Sequence, residues 1–417
     1  MLLSSIAQRS RDRRRRIPRL PLLALLAVCA TIVAQALASS GNNDAHKSKT
    51  PQLRGYWGAN GARLAPHARG KRCPKPKRAK QHKRCHKTAG SGKKPTPSPG
   101  GPTQGGSGSG ASAGGRSEPL RLFSDASFFN QRLPANVAKS SESAKLVRAF
   151  VSQVKSYQGH VVINTTEWSA PVYTVGEATP TVALLGESSI CPRSEGVFAG
   201  FQAQIEAVPI PAGAEPAAGE DKEMIIWQPS TGRLWELWRV LQESGHWTAC
   251  WGERIADART SDGTIPQPFG ASAAGISLLG GQIHIEDLEH GQINHALEVL
   301  MPDTAASEFV WPADRTDGAS KAADAIPEGT RFRLNPQLDI SSLHLGPSGE
   351  AIATAIQRYG IVVGDTSGSV ALSAQDPSPL IREGHANPYD RLLSNPYDTL
   401  DTVPWEDLEA VSPDYRG

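Results

Sequence analysis

The sequence predicts a mainly β domain, a β-sandwich or jelly roll with two or so packed helices, across residues 119–375. Three observations predict it. Apolar residues after position 119 fall in many short runs. Gly, Pro, Asp and Ser clusters separate those runs. Two segments alone carry a 3.6-residue period.

The first of those helices runs from Glu142 to Gln158, with Val147, Phe150, Val151 and Val154 on one face. Ser140 or Ser141 can cap it and Gly159 can end it. The second runs from Pro347 to Tyr359, with Ile352, Ile356 and Tyr359 on one face and Gly360 at its end. Strands are expected at His160–Asn164, Pro171–Val175, Thr181–Leu185, Phe201–Ile205, Met224–Gln228, Arg233–Trp238 and Trp247–Glu253. Further strands are expected at Gln282–Ile285, Ile293–Leu300, Arg331–Leu334, Ile361–Gly364 and Ser369–Leu372. Gln228–Arg233 and Asp365–Gly368 read as hairpin turns.

Residues 1–38 read as a signal peptide or signal anchor. Arg11, Arg13–Arg16 and Arg19 precede an apolar run from Leu20 to Ala38, the order of a secretory signal. Ala36-Leu37-Ala38 supplies a small-x-small cleavage pattern; an uncleaved run would anchor the chain with its bulk outside. Residues 39–118 read as a basic linker rich in Lys, Pro, Gly and Ser, too poor in apolar residues to bury a core. Residues 41–118 carry 17 Lys and Arg against Asp44 and Glu118, while residues 119–417 have a net charge of −18. The asymmetry suggests that the arm, not the body, meets polyanions; the alternative is a solvated spacer with no specific partner. Export excludes nucleic acid as that partner and leaves anionic cell-wall polymer or lipid headgroups. Residues 376–417 read as an acidic, irregular tail that straps its Tyr and Trp side chains onto the body. Asn387-Pro388-Tyr389-Asp390 recurs in it as Asn395-Pro396-Tyr397-Asp398.

Loss of the signal removes Cys29 and leaves four cysteines, which suggests two disulfides in an oxidising compartment. Cys73 with Cys85 and Cys191 with Cys250 is the expected pairing.

Candidate site residues lie in three places. Leu234-Trp235-Glu236-Leu237-Trp238 alternates as a strand, with Glu236 and Trp238 on one face and Trp235 on the other. A carboxylate among aromatic rings suits polysaccharide: rings stack on sugar faces while the carboxylate transfers protons. His284, Glu286, His290 and His295 cluster next, but their spacing fits no helix-borne zincin pattern, so neither metal nor cofactor is expected. Polar residues at strand ends, Asn164, Asp221, Asp314, Asp317 and Asp365, form the third group. The expected catalytic set is Glu236, His295 and Asp317, with Trp235, Trp238 and Asn164 binding substrate. No nucleophile elbow, P-loop or dinucleotide fingerprint occurs.

The segments Ser127–Pro134, Leu234–Trp238, Ile293–Leu297, Trp311–Gly318, Ile326–Arg331 and Tyr359–Asp365 together resemble a family of exported proteins from high-GC actinobacteria. The resemblance spans about 120–375 and implies export and one domain. That family carries no established activity, so the resemblance assigns no catalytic residue. Two functions follow from the residues: a glycan-active enzyme using acid/base chemistry, or a non-catalytic binding or structural module of the envelope.

Overall fold

The computed structural model describes residues 120–191 and 197–417. The expected signal segment, the basic linker, Cys73 and Cys85 lie outside those residues. The strands form four sheets. The six-stranded sheet runs β1 (Val162–Asn164), β14 (Ala371–Ser373), β9 (Leu297–Met301), β13 (Ile361–Thr366), β12 (Arg331–Leu334), β15 (Leu408–Ala410). A four-stranded sheet runs β2 (Val172–Thr174), β4 (Met224–Gln228), β5 (Arg233–Trp238), β8 (Trp251–Ile255). β3 (Leu184–Gly186), β7 (His246–Ala249) and β6 (Leu241–Glu243) form a three-stranded sheet, and β10 (Thr304–Phe309) pairs with β11 (Ile326–Glu328).

Alternation along β4 and β5 explains how the sheets stack. Ile225, Trp227 and Leu234 join a core cluster with Val362 of β13, while Met224, Ile226, Trp235 and Leu237 join another with Leu184 and Trp247. The four-stranded sheet is thus a middle layer, buried on both faces, as its unbroken apolar runs require. Helices α1 (Ser143–Ser156) and α5 (Pro347–Arg358) cover the far face of the six-stranded sheet. Phe150 and Ile356 are fully buried there against Phe332, Val299 and Val363.

The mainly β class and both helices match the sequence reading. Several details differ. Phe201–Ile205, expected as a strand, contains helix α2 (Phe201–Gln204). Phe201 and Ile205 are both buried, and a spacing of four serves a helix as well as a strand. Gln282–Ile285 is not a strand. Residues 278–281 form a short turn of helix, α3 (Leu278–Gly281), and α4 (Ile285–His290) begins with His284 as its N-cap. The Trp247–Glu253 run splits at Cys250 into β7 and β8, which enter different sheets. Asp365–Gly368 does not close a hairpin, because β13 and β14 lie on either side of β9. The pairs β1–β14, β9–β13, β2–β4 and β3–β7 are parallel, an arrangement hairpin-connected strands cannot give.

Cys191 and Cys250 are disulfide-bonded, with Cα atoms 5.2 Å apart. The C-terminal segment packs on the body: Tyr389, Leu400 and Trp405 are buried in the helix-covered core, and β15 completes the sheet edge. The two Asn-Pro-Tyr-Asp copies form the same local turn, Asn387 accepting from Tyr389 N and Asn395 from Tyr397 N. Tyr389 points inward and Tyr397 is exposed. Among the described residues, no helix is long and apolar enough to cross a membrane.

Candidate acid/base site

The middle sheet and the six-stranded sheet meet across carboxyl groups. Glu236 on β5 lies opposite Glu253 on β8. Glu236 is fully buried. Its oxygens accept hydrogen bonds from Ser277 Oγ at 2.6 Å, Leu278 N at 2.9 Å and Leu279 N at 2.8 Å, which fixes the start of α3. Both Glu253 oxygens are buried without a donor. A proton on Glu253 makes one of these oxygens a donor to Glu236, and the Ala271 backbone amide approaches the same carboxyl. Burial, then the Glu236 charge, pushes the Glu253 carboxyl well above its ordinary range.

Glu298 on β9 occupies a socket that only glycine permits. A Cβ at Gly364 would lie 2.0 Å from Glu298 Oε1, and one at Gly281 would lie 2.6 Å from Glu298 Cβ. Burial, with the charge of Glu236, raises Glu298 to about 8. Glu223, just before β4, and Asp365 on β13 are raised well above the carboxylate range, chiefly by burial. Asp365 accepts from Ala273 N and Thr366 N.

The outer end of this seam is a carboxyl dyad. Thr366 Oγ1 donates to Asp317 Oδ2 at 2.8 Å, and Thr304 Oγ1 donates to Glu328 Oε1 at 3.1 Å. The remaining oxygens, Asp317 Oδ1 and Glu328 Oε2, are buried and have no donor. Two ionised carboxylates could not share this site; one proton held between the inner oxygens satisfies both. Burial, then the charge of Asp317, pushes Glu328 up to about 10. Glu328 is fully buried, whereas Asp317 is half-buried and Arg315 nearby keeps 22% of its side chain exposed. A cavity of about 530 Å³ has Pro327 and Gly329, the chain neighbours of Glu328, in its wall; the Glu328 and Asp317 side chains do not line it. Trp311, Tyr415, Lys321 and Arg331 line the same cavity. Arg331 Nη1 has no hydrogen-bond acceptor, and burial lowers that guanidinium to about 10.

Of the expected catalytic set, Glu236 and Asp317 both lie on the seam, linked through Glu298 and Asp365 by charge interactions. His295 lies off the seam. Its Nε2 faces Asp287 Oδ2 at 3.1 Å and its Nδ1 donates to Ala296 O at 2.9 Å. Trp235 is 2% exposed and donates its indole N–H to Gln204 O at 3.1 Å. Trp238 is stacked on Trp251 at 5.0 Å, lies under the Arg239 guanidinium at 5.1 Å and donates to Asp221 Oδ1. Neither ring has a free face large enough to seat a sugar. Asn164 binds Trp168 O and Thr166 N, pinning its own loop.

Sequence reasoning did not single out Glu253, Glu298 and Glu328. The available signal was a glutamate among apolar strand residues at Leu297-Glu298-Val299 and Ile326-Pro327-Glu328; Glu253, between Gly252 and Arg254, carried no such signal. Family models, curated proteins and solved structures were compared with the chain, and none matches.

Proposed function

We propose that the described domain is an exported or surface-anchored enzyme that acts on polysaccharide by carboxyl acid/base chemistry at Asp317 and Glu328. One observation carries this reading: Asp317 and Glu328 each bury an oxygen with no hydrogen-bond donor, which a shared proton would satisfy, and Glu328 is the chain neighbour of two residues in the cavity wall. Buried protonated acids cost stability and are concentrated where chemistry needs them. Glu236 has no exposed surface and its oxygens are occupied, so it acts as a positioning residue that anchors the turn before α3. A dyad sharing one proton stands closer than the roughly 5 Å or more that glycosidases keep between their two carboxyls. Elimination therefore fits better than hydrolysis. Asp317, the half-buried member, removes a ring proton, the glycosidic C–O bond breaks as the ring double bond forms, and the dyad returns a proton to the leaving oxygen. The disulfide supports an oxidising compartment, and the basic arm suits recruitment of an anionic polymer. The face-to-face packing of the six- and four-stranded sheets is read as a sandwich of mixed strand direction.

A second reading, a non-catalytic envelope module, is favoured by the full burial of Glu236 and Glu328. A polysaccharide panel that includes uronic-acid polymers, assayed for unsaturated products and for reducing ends, separates the two. The enzyme reading expects unsaturated product from wild type and a loss of about 100-fold or more in Asp317→Asn and Glu328→Gln. Binding without product from any polymer supports the module and overturns the enzyme.

A further inference from the structure

His284, Asp287 and His295 bring three side chains into one buried point; Leu279, whose N–H binds Glu236, stands between it and the acid seam. His284 is the N-cap of α4, Asp287 lies in its first turn, and His295 stands just before β9. Helical spacing puts Asp287, three residues on, beside His284.

The hydrogen bonds fix which nitrogen of each ring carries a proton. His284 Nε2 is 2.8 Å from Leu279 O and His295 Nδ1 is 2.9 Å from Ala296 O. A carbonyl only accepts, so both nitrogens are N–H donors. The second nitrogen of each neutral ring is then a lone pair. Both lone pairs face one carboxylate oxygen: His284 Nδ1 and His295 Nε2 lie 3.2 and 3.1 Å from Asp287 Oδ2. His284 Nδ1 makes no hydrogen bond despite that approach, and Asp287 Oδ1 has no partner either. With both rings neutral, two imidazole lone pairs and the Asp287 carboxylate converge on one buried point, and a proton on His295 Nε2 would satisfy only the His295–Asp287 contact.

Positive charge belongs there, as a proton or as a cation. One protonated ring would balance Asp287, as His295 Nε2 is placed to do, but would leave His284 Nδ1 and Asp287 Oδ1 without partners. Protonating both would place two imidazolium ions with ring centroids 5.1 Å apart beside a single carboxylate, a buried excess of positive charge. One divalent cation satisfies all three lone pairs at once. A tetrahedral zinc with bonds of about 2.0–2.1 Å separates its ligand atoms by roughly 3.3 Å. The two nitrogen–oxygen separations here, 3.2 and 3.1 Å, match that edge. Metal-bound histidines also characteristically donate their other N–H to a carbonyl or carboxylate, as both rings do here. We propose that His284 Nδ1, His295 Nε2 and the Asp287 carboxylate bind a divalent zinc-class cation. Two imidazoles and a carboxylate suit zinc over calcium or magnesium, and a water completes the fourth position. The ion ties α4 to the start of β9, and the proposal is independent of the acid/base reading.

The test uses the full chain, stripped with chelator, reloaded with Zn2+ and passed over a desalting column before elemental analysis. Wild type is expected to keep one zinc per chain that is lost in His284→Gln/His295→Gln, and to gain thermal stability on reloading. Asp287→Asn, which removes a direct ligand, is expected to weaken zinc binding by more than the roughly 10–100-fold that loss of an outer-shell partner costs. Co2+ added to stripped wild type should give the intense visible absorption of a tetrahedral site, a readout that needs no variant to fold. Wild type without stoichiometric metal, wild type without the cobalt spectrum, or a folded double variant that still holds one zinc would each overturn the site.

Discussion

The acid seam and the His284–Asp287–His295 cluster solve the same problem in opposite ways. Each gathers hydrogen-bond acceptors where water cannot reach. In the seam the groups are carboxyls, and a carboxyl can become its own donor by keeping a proton; Glu253, Glu298 and Glu328 do so. In the cluster one proton of each ring is committed to Leu279 O and Ala296 O, and the second nitrogens, beside one carboxylate, offer lone pairs that a proton or a metal cation can use.

Amide substitutions should therefore act with opposite sign in the two places. Asp287→Asn removes the one negative charge facing two histidines, and breaking a buried pair of this kind costs about 3–5 kcal/mol. Chemical denaturation at pH 7 should show that loss, and an unchanged midpoint would break the contrast. Gly364→Ala is next. Its Cβ would fall 2.0 Å from Glu298 Oε1, and overpacking without room to relax costs about 1–3 kcal/mol. Glu298→Gln should instead stabilise the domain at pH 8, on the order of 1–3 kcal/mol, because the amide needs no proton to remain neutral. A destabilised Glu298→Gln at that pH would mean the carboxylate is charged and compensated.

The smallest effect concerns pH. Glu298 rises from 4.5 to about 8 and Asp221 from 3.8 to about 6, both chiefly through burial. Groups raised on folding stabilise the domain below their unfolded values and lose that contribution as pH climbs through the folded ones. The melting temperature should thus fall from pH 5 to pH 9, by on the order of 5–10 °C. Glu298→Gln should flatten the slope. A melting temperature that rises across this window would contradict the pH account.

Much of the fold was legible because it rests on local chemistry. Val147, Phe150 and Val154 mark α1, and the Pro229-Ser230-Thr231-Gly232 turn joins β4 to β5, where Gly232 has φ of 72°. Which strands become neighbours was not legible: β4 is buried on both faces, and a fully apolar strand carries no signal of direction or partner. The site divides the same way. Glu236 and Asp317 stood out by their surroundings in sequence, but Glu328 is meaningful only because β11 brings it to Thr304 of β10. Asp287 likewise depends on a one-turn helix that the short Ile283–Leu288 pattern does not distinguish from a strand.

The central claim is that the seam holds protonated carboxyls at neutral pH. Infrared spectroscopy reads it directly, because the carbonyl stretch of a protonated acid is separate from the carboxylate bands. At pH 7, where exposed Asp and Glu are ionised, wild type should still show that stretch, and Glu253→Gln and Glu328→Gln should each remove part of it. A folded wild-type protein with no protonated-carboxyl band at pH 7 would contradict the account.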